Sequence, residues 1–207
     1  MKLYKKNIFP LLVLMLCIYN NGQAQERLMM MNGNVVFASV QDTTGGVIKL
    51  IDPDSKKQEV IEMDRDRIFS IIYRTGQEVI IYTQDSLLED NFLTPEEMRS
   101  FITGQHDAMA RYAAPGALFG TFAIGVASGA LLPVWLSPIG AGGGAVLFGS
   151  NWIKIKRESV SDPKYLKDDM YIRGYENTAR QKRVQNSLKG AFVGLLLGAV
   201  ARFTLLE

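Results

Sequence analysis

The chain holds one histidine, His106, and one cysteine, Cys17, so the side chains that most often carry catalysis or bind zinc are nearly absent. A zinc centre needs several nitrogen or sulfur ligands, and a Ser-His-Asp set built on His106 has no independent support. The expected role for His106 is solvent-facing or capping. Asp52, Asp54, Asp64 and Asp66 would suit calcium by type. However, Lys56, Lys57, Arg65 and Arg67 are interleaved with them and no EF-hand spacing is met, so these read as charged turns. Gly140-Ala141-Gly142-Gly143-Gly144-Ala145 loosely fits a dinucleotide loop, but no βαβ unit surrounds it and no P-loop lysine follows. The expectation is therefore no catalytic residue, no metal and no cofactor.

One polar group keeps a binding role open. Arg180, Lys182, Arg183 and Lys189 stand just before an apolar tail. At the headgroup level of a bilayer, each basic residue adds about 1 kcal/mol of attraction to anionic lipid. The same residues equally suit a solvated helix face.

What positions them is a stretch from Tyr112 to Trp152: between Arg111 and Lys154 there is no Asp, Glu, Lys, Arg or His. A spanning helix needs about 20 apolar residues, so the run is long enough for two, and Pro133 and Pro138 fall where a turn would be. Residues 113–153 are thus expected to form an apolar helical hairpin, 154–189 a basic helical segment, and 190–207 a glycine-bearing apolar tail. Gly190 to Ala201 is too short to span alone, but Arg202 can snorkel and extend it to about 17 residues. With no proline beyond Tyr175, one helix can run from the basic segment into the tail.

Glycine costs roughly 1 kcal/mol against alanine in a helix, so glycines at helical spacing need a reason. Gly116 with Gly120, Gly125 with Gly129, and Gly190, Gly194 and Gly198 each recur four apart. That spacing predicts close helix packing, within the chain or between copies. The topology rules disagree. Trp135 and Trp152, at opposite ends of a second span, with Tyr112 beside Trp152, favour the hairpin, whereas the positive-inside rule favours a single crossing that leaves the basic segment in the cytoplasm; the glycine-dense Gly140 to Gly144 keeps a re-entrant segment open as a third form.

The 207 residues carry a net charge of +2, too small to imply a nucleic-acid partner. Residues 1–24 have the parts of a secretory signal: Lys2, Lys5 and Lys6, an apolar core from Ile8 to Ile18, and Gly22-Gln23-Ala24 as a cleavage site. Cleavage there removes Cys17, and with it any disulfide or thiolate chemistry. A lipoprotein anchor on Cys17 would want a small residue in place of Leu16. An export signal also argues against functions that need cytoplasmic ATP, NAD or nucleic acid. Charge is uneven: residues 25–112 hold 9 basic and 15 acidic groups, residues 154–189 hold 10 basic and 5 acidic.

Residues 25–83 read as a small antiparallel β domain, since short runs of β-formers alternate with turn chemistry. The runs are Leu28 to Met31, Val35 to Val40, Val47 to Ile51, Glu59 to Met63, Ile68 to Tyr73 and Glu78 to Tyr82. Six strands in this length suggest a small antiparallel barrel or sheet, SH3-like or Sm-like, of the size that more often serves as an adaptor than an enzyme. Residues 84–112 read as a linker and a helix opened by a capping box, Thr94-Pro95-Glu96-Glu97, with Gly104 a weak point.

The stretch from Asn32-Gly33 through Ile68, Ile71, Tyr73 and Gly76 resembles a small β module of uncharacterised exported proteins of Bacteroidota, in which an "NG" turn, a strand pair and an "I..I.Y..G" strand recur. The glycine usual in the second strand of such modules stands here as Ala38. The resemblance extends to Gly104–Ala108 with Tyr112 and to Tyr171–Tyr175 with Ala179, Arg180, Lys182 and Arg183. It implies an envelope protein without assigned functional residues.

The expected molecule is α+β: a small β module followed by glycine-rich membrane helices. Its expected function is non-enzymatic, an exported module for a protein partner anchored in the cell-envelope membrane, the inner membrane favoured, with the module in the periplasm. The alternatives are a subunit of a self-associating transport or channel element, and an envelope enzyme with no recognisable site.

Overall fold

A computed structural model of the chain describes residues 25–52, 59–85, 92–149 and 153–205. The signal-like segment with Cys17, together with Asp54, Lys56, Lys57, much of the linker and Trp152, lies outside the described residues. The fold is α+β. Six antiparallel strands, β1 (Glu26–Met30), β2 (Val35–Asp42), β3 (Val47–Ile51), β4 (Val60–Asp64), β5 (Ile68–Ile72) and β6 (Glu78–Ile80), lie in the order β4-β3-β2-β1-β5-β6. Strand alternation sends Leu28 and Met30 of β1 and Ile48 and Leu50 of β3 to one face, as a period of two requires. There they join Ala38, Ile68, Ile71 and Ile81 in a single core.

The sheet is open rather than closed into the expected barrel, with β4 and β6 as its edges. A physical reason lies in β5, whose residues 68–71 are buried on both faces. Ile68 and Ile71 enter the sheet core, while Phe69 turns the other way and packs with Tyr82, Leu93, Met98 and Ile102. A helix therefore covers apolar surface beside β5. Each such buried side chain contributes roughly 1.5–3 kcal/mol.

That helix is α1 (Pro95–Arg111). The Thr94 hydroxyl accepts from the Glu97 amide at 3.3 Å, and the Glu97 carboxylate accepts from the Thr94 amide at 2.9 Å, so the capping box is complete. Asn32-Gly33 ties the sheet to its far half. Gly33 has a φ of +81°, and a Cβ there would lie 2.7 Å from that of Gln105, so both the turn and the close approach need glycine. His106 contacts the Gly33 carbonyl through Nδ1 at 3.1 Å.

Pro115 restricts Ala114 before it to non-helical backbone. It thereby separates α1 from α2 (Pro115–Leu131), and the pair is bent by 59°. Pro133 lies just beyond α2 and α3 (Ser137–Gly149) follows. After an extended stretch and two short 3-10 turns, α4 (Asp169–Leu205) runs for 37 residues, about 55 Å. The basic segment and the glycine-bearing tail thus share one helix.

Contacts fix the directions. Phe101, Gly104 and Ala108 of α1 meet Gly174, Tyr171 and Tyr175 of α4, and Leu118, Phe122 and Val126 of α2 meet Gly190, Gly194 and Gly198. The bent pair α1–α2 therefore runs parallel to α4. By contrast, Gly140 meets Leu132, Gly144 meets Ile124 and Phe148 meets Gly120, so α3 returns antiparallel to α2.

Candidate membrane-facing surface

The three-helix bundle formed by α2, α3 and the C-terminal half of α4 has small residues inside. Buried on α2 are Ala117, Thr121, Gly125, Ser128 and Gly129; on α3 they are Ser137, Ala141, Gly144, Ala145 and Gly149. The large apolar side chains point outward: Phe119 is 67 % exposed, Leu131 80 % and Phe203 60 %, joined by Ile139, Val146, Leu147, Phe192, Leu196 and Val200. A water-soluble bundle buries its large apolar groups. On α4 exposed apolar residues run from Val184 to Phe203, about 28 Å, with Lys189 exposed among them; beyond Lys189, Phe192 to Phe203 covers about 17 Å of the roughly 30 Å of a bilayer's hydrocarbon core.

Length limits what can cross alone. Among the described residues, only Asp169–Thr204 is long and apolar enough for a span, while α1 and α2 pass together as a bent pair. The described part of α3, with 13 residues, extends about 20 Å. The bend at Pro115 and the turn at Pro133 divide the described part of the uncharged run into antiparallel helices of 17 and 13 residues. Trp135 lies in that turn, exposed, ahead of α3.

Most of the singled-out glycines sit at helix contacts. A Cβ on Gly190 would lie 2.2 Å from the Leu118 carbonyl oxygen, on Gly194 2.2 Å from that of Phe122, and on Gly198 2.3 Å from that of Val126. On α2, Gly125 meets the Ala191 carbonyl and Gly129 that of Leu195, while Gly120 meets the Phe148 ring. Gly116 meets nothing within 4 Å. Gly104 and Gly174 were not singled out for packing, yet they form the α1–α4 crossing, where each Cβ would strike the other helix's backbone. The cost of a lone mid-helix glycine is the sequence signal that marks them. Gly140 and Gly144 are helical and abut Ser128, Leu132 and Ile124, so that segment forms no phosphate loop.

The basic residues divide. Lys182 donates from Nζ to the carbonyls of Met109 at 2.8 Å, Tyr112 at 2.7 Å and Ala108 at 3.3 Å. Arg183 donates from Nε to the Phe148 carbonyl at 2.6 Å, and Arg202 donates to that of Leu132 at 2.5 Å. These acceptors belong to the C-terminal ends of α1, α3 and α2, where the helix dipole is negative; the Ala108 carbonyl also accepts from the Tyr112 amide at 3.0 Å. Arg180 and Lys189 are exposed.

Above the bundle, Asp107 accepts from the Ser161 amide at 2.8 Å, the Ser161 hydroxyl at 2.6 Å and the Tyr171 hydroxyl at 2.5 Å. Burial raises its pKa, but these donors outweigh burial and leave it below the ordinary aspartate value. The contact returns the segment after α3 to the sheet end of the molecule. Asp52 follows β3, Asp64 ends β4 and Asp66 lies in the 3-10 turn after it, and no group of three metal-ligating side chains occurs among the described residues. Comparison of the chain with protein-family models, curated proteins and solved structures returns no match.

Proposed function

We propose that the chain is a non-enzymatic membrane protein of the cell envelope, in which the β module presents a partner-binding surface and α2, α3 and α4 anchor it. The reading rests on one observation above others: the bundle turns large apolar side chains outward and glycine, alanine, serine and threonine inward. That arrangement suits lipid, which supplies no hydrophobic drive between helices and leaves close backbone packing to hold them together. The signal-like residues 1–24 favour export, with the sheet on the periplasmic side of the inner membrane. The strand order and the shared strand β2, which pairs with β1 through residues 35–38 and with β3 through Ser39, Val40 and Asp42, suit an SH3-like module. Among the described residues β4 and β6 each pair with one neighbour, which leaves an edge that suits a partner's strand.

A second reading, self-association into a transport element, draws on Gly116, Gly142 and Gly143, which meet nothing within 4 Å. Membrane fractionation tests the first reading. The chain should stay in the pellet after alkaline carbonate, and a Glu158→Cys variant in spheroplasts should react with a membrane-impermeant maleimide. Release by carbonate sinks the anchor; a protected Glu158→Cys in a carbonate-resistant chain places the sheet in the cytoplasm instead.

A further inference from the structure

The segment after α3 carries a pair of lysines whose placement follows from alternation. Ile153 and Ile155 pack against the Tyr171–Tyr175 cluster, so the intervening and following Lys154 and Lys156 face the other way and are exposed. With Arg111 at the end of α1 they line a recess of about 290 Å³ that also includes Glu158. A second recess of about 380 Å³ shares Tyr112, Ala113 and both lysines, and its wall is apolar, with Pro115, Ala117 and Phe148. Arg183 closes its rim. Of the recess cations, Arg111 also feels the carboxylate of Asp107, which is taken up by Ser161 and Tyr171.

We infer that this double recess is a binding site for the phosphate headgroup of an anionic glycerolipid. Arg111, Lys154 and Lys156 meet the phosphate, and the acyl chains descend past Pro115, Ala117 and Phe148. Three observations converge. The cations outnumber the one lining carboxylate, the polar rim stands directly over an apolar wall, and the site lies where the last charges of α1 give way to the uncharged α2. A free anion would use the rim alone, whereas a lipid uses rim and wall together. A zwitterionic lipid brings its own cation and gains less from the rim. The inference rests on the membrane reading above, and concerns residues other than the basic group of α4.

The test uses the purified full chain in uncharged detergent micelles, with lipid retention read by native mass spectrometry. The chain should retain phosphatidylglycerol in preference to phosphatidylcholine, and Lys154→Gln with Lys156→Gln should weaken that retention about 30-fold. The control pair Lys49→Gln with Lys167→Gln removes as much charge from β3 and from the 3-10 turn ahead of α4 and should leave retention unchanged, and circular dichroism should show the same helix content in all three. Equal retention by the lysine variant and the unaltered chain overturns the site, as does equal weakening by the control pair. Displacement of the lipid by inorganic phosphate also overturns it, because the recess would then hold the free anion. Carbonate release of the chain from membranes would defeat the anchor reading, while the micelle titration reads the recess separately.

Discussion

Three positive side chains of α4 end three other helices. Lys182 serves α1, Arg183 serves α3 and Arg202 serves α2. Lys182 gathers three carbonyls with an ammonium that has three donors, so little of its hydrogen-bonding capacity is left for lipid. In sequence, a basic cluster before an apolar tail looks the same whether it faces headgroups or a neighbouring helix end. Lys182→Met keeps the stem and removes the donors. It should lower stability by about 2–3 kcal/mol, since the α1 carbonyls lose a charged partner, whereas Lys189→Met at an exposed position should change it by less than about 0.5 kcal/mol. Thermal unfolding in detergent, followed by circular dichroism, distinguishes the two; equal melting temperatures would remove Lys182 from this role. His106 shows the same limit. A capping or exposed role was legible, but its partner, the Gly33 carbonyl, lies far away in sequence.

At the scale of elements, the features set by neighbouring residues were the legible ones. The turn residues delimit six strands, Thr94 and Glu97 open α1, and prolines divide the apolar run. The open sheet was less legible, because it depends on α1 covering Phe69, a contact that strand patterning does not encode. Within the uncharged run, Pro133 marks the turn after which α3 returns antiparallel to α2, and the bend at Pro115 sets where α2 begins. The glycines of α4 carry a direct consequence. Gly194→Ala places a methyl 2.2 Å from the Phe122 carbonyl oxygen, so α2 and α4 must move apart, at a cost of about 1–3 kcal/mol. Gly142→Ala meets nothing and should stabilise α3 by up to about 1 kcal/mol through helix propensity. Opposite shifts in melting temperature are expected; destabilisation by Gly142→Ala would instead indicate that this face is covered.

The whole molecule is polar at one end and apolar along the other. The sheet, α1, the basic return segment and the Asp107 network lie together, and the bundle extends beyond them with its largest side chains outward. α4 joins the two parts, packing first on α1 and then on α2 and α3. The central claim is that this outward surface faces lipid. With Cys17, the chain's one cysteine, replaced by serine, single cysteines at Phe192, Leu196, Val200 and Glu158 can carry a nitroxide in reconstituted vesicles. The account predicts that labels at Phe192, Leu196 and Val200 collide readily with oxygen and scarcely with a water-soluble nickel complex, while the label at Glu158 does the reverse. Nickel accessibility at the three α4 positions equal to that at Glu158 would contradict it.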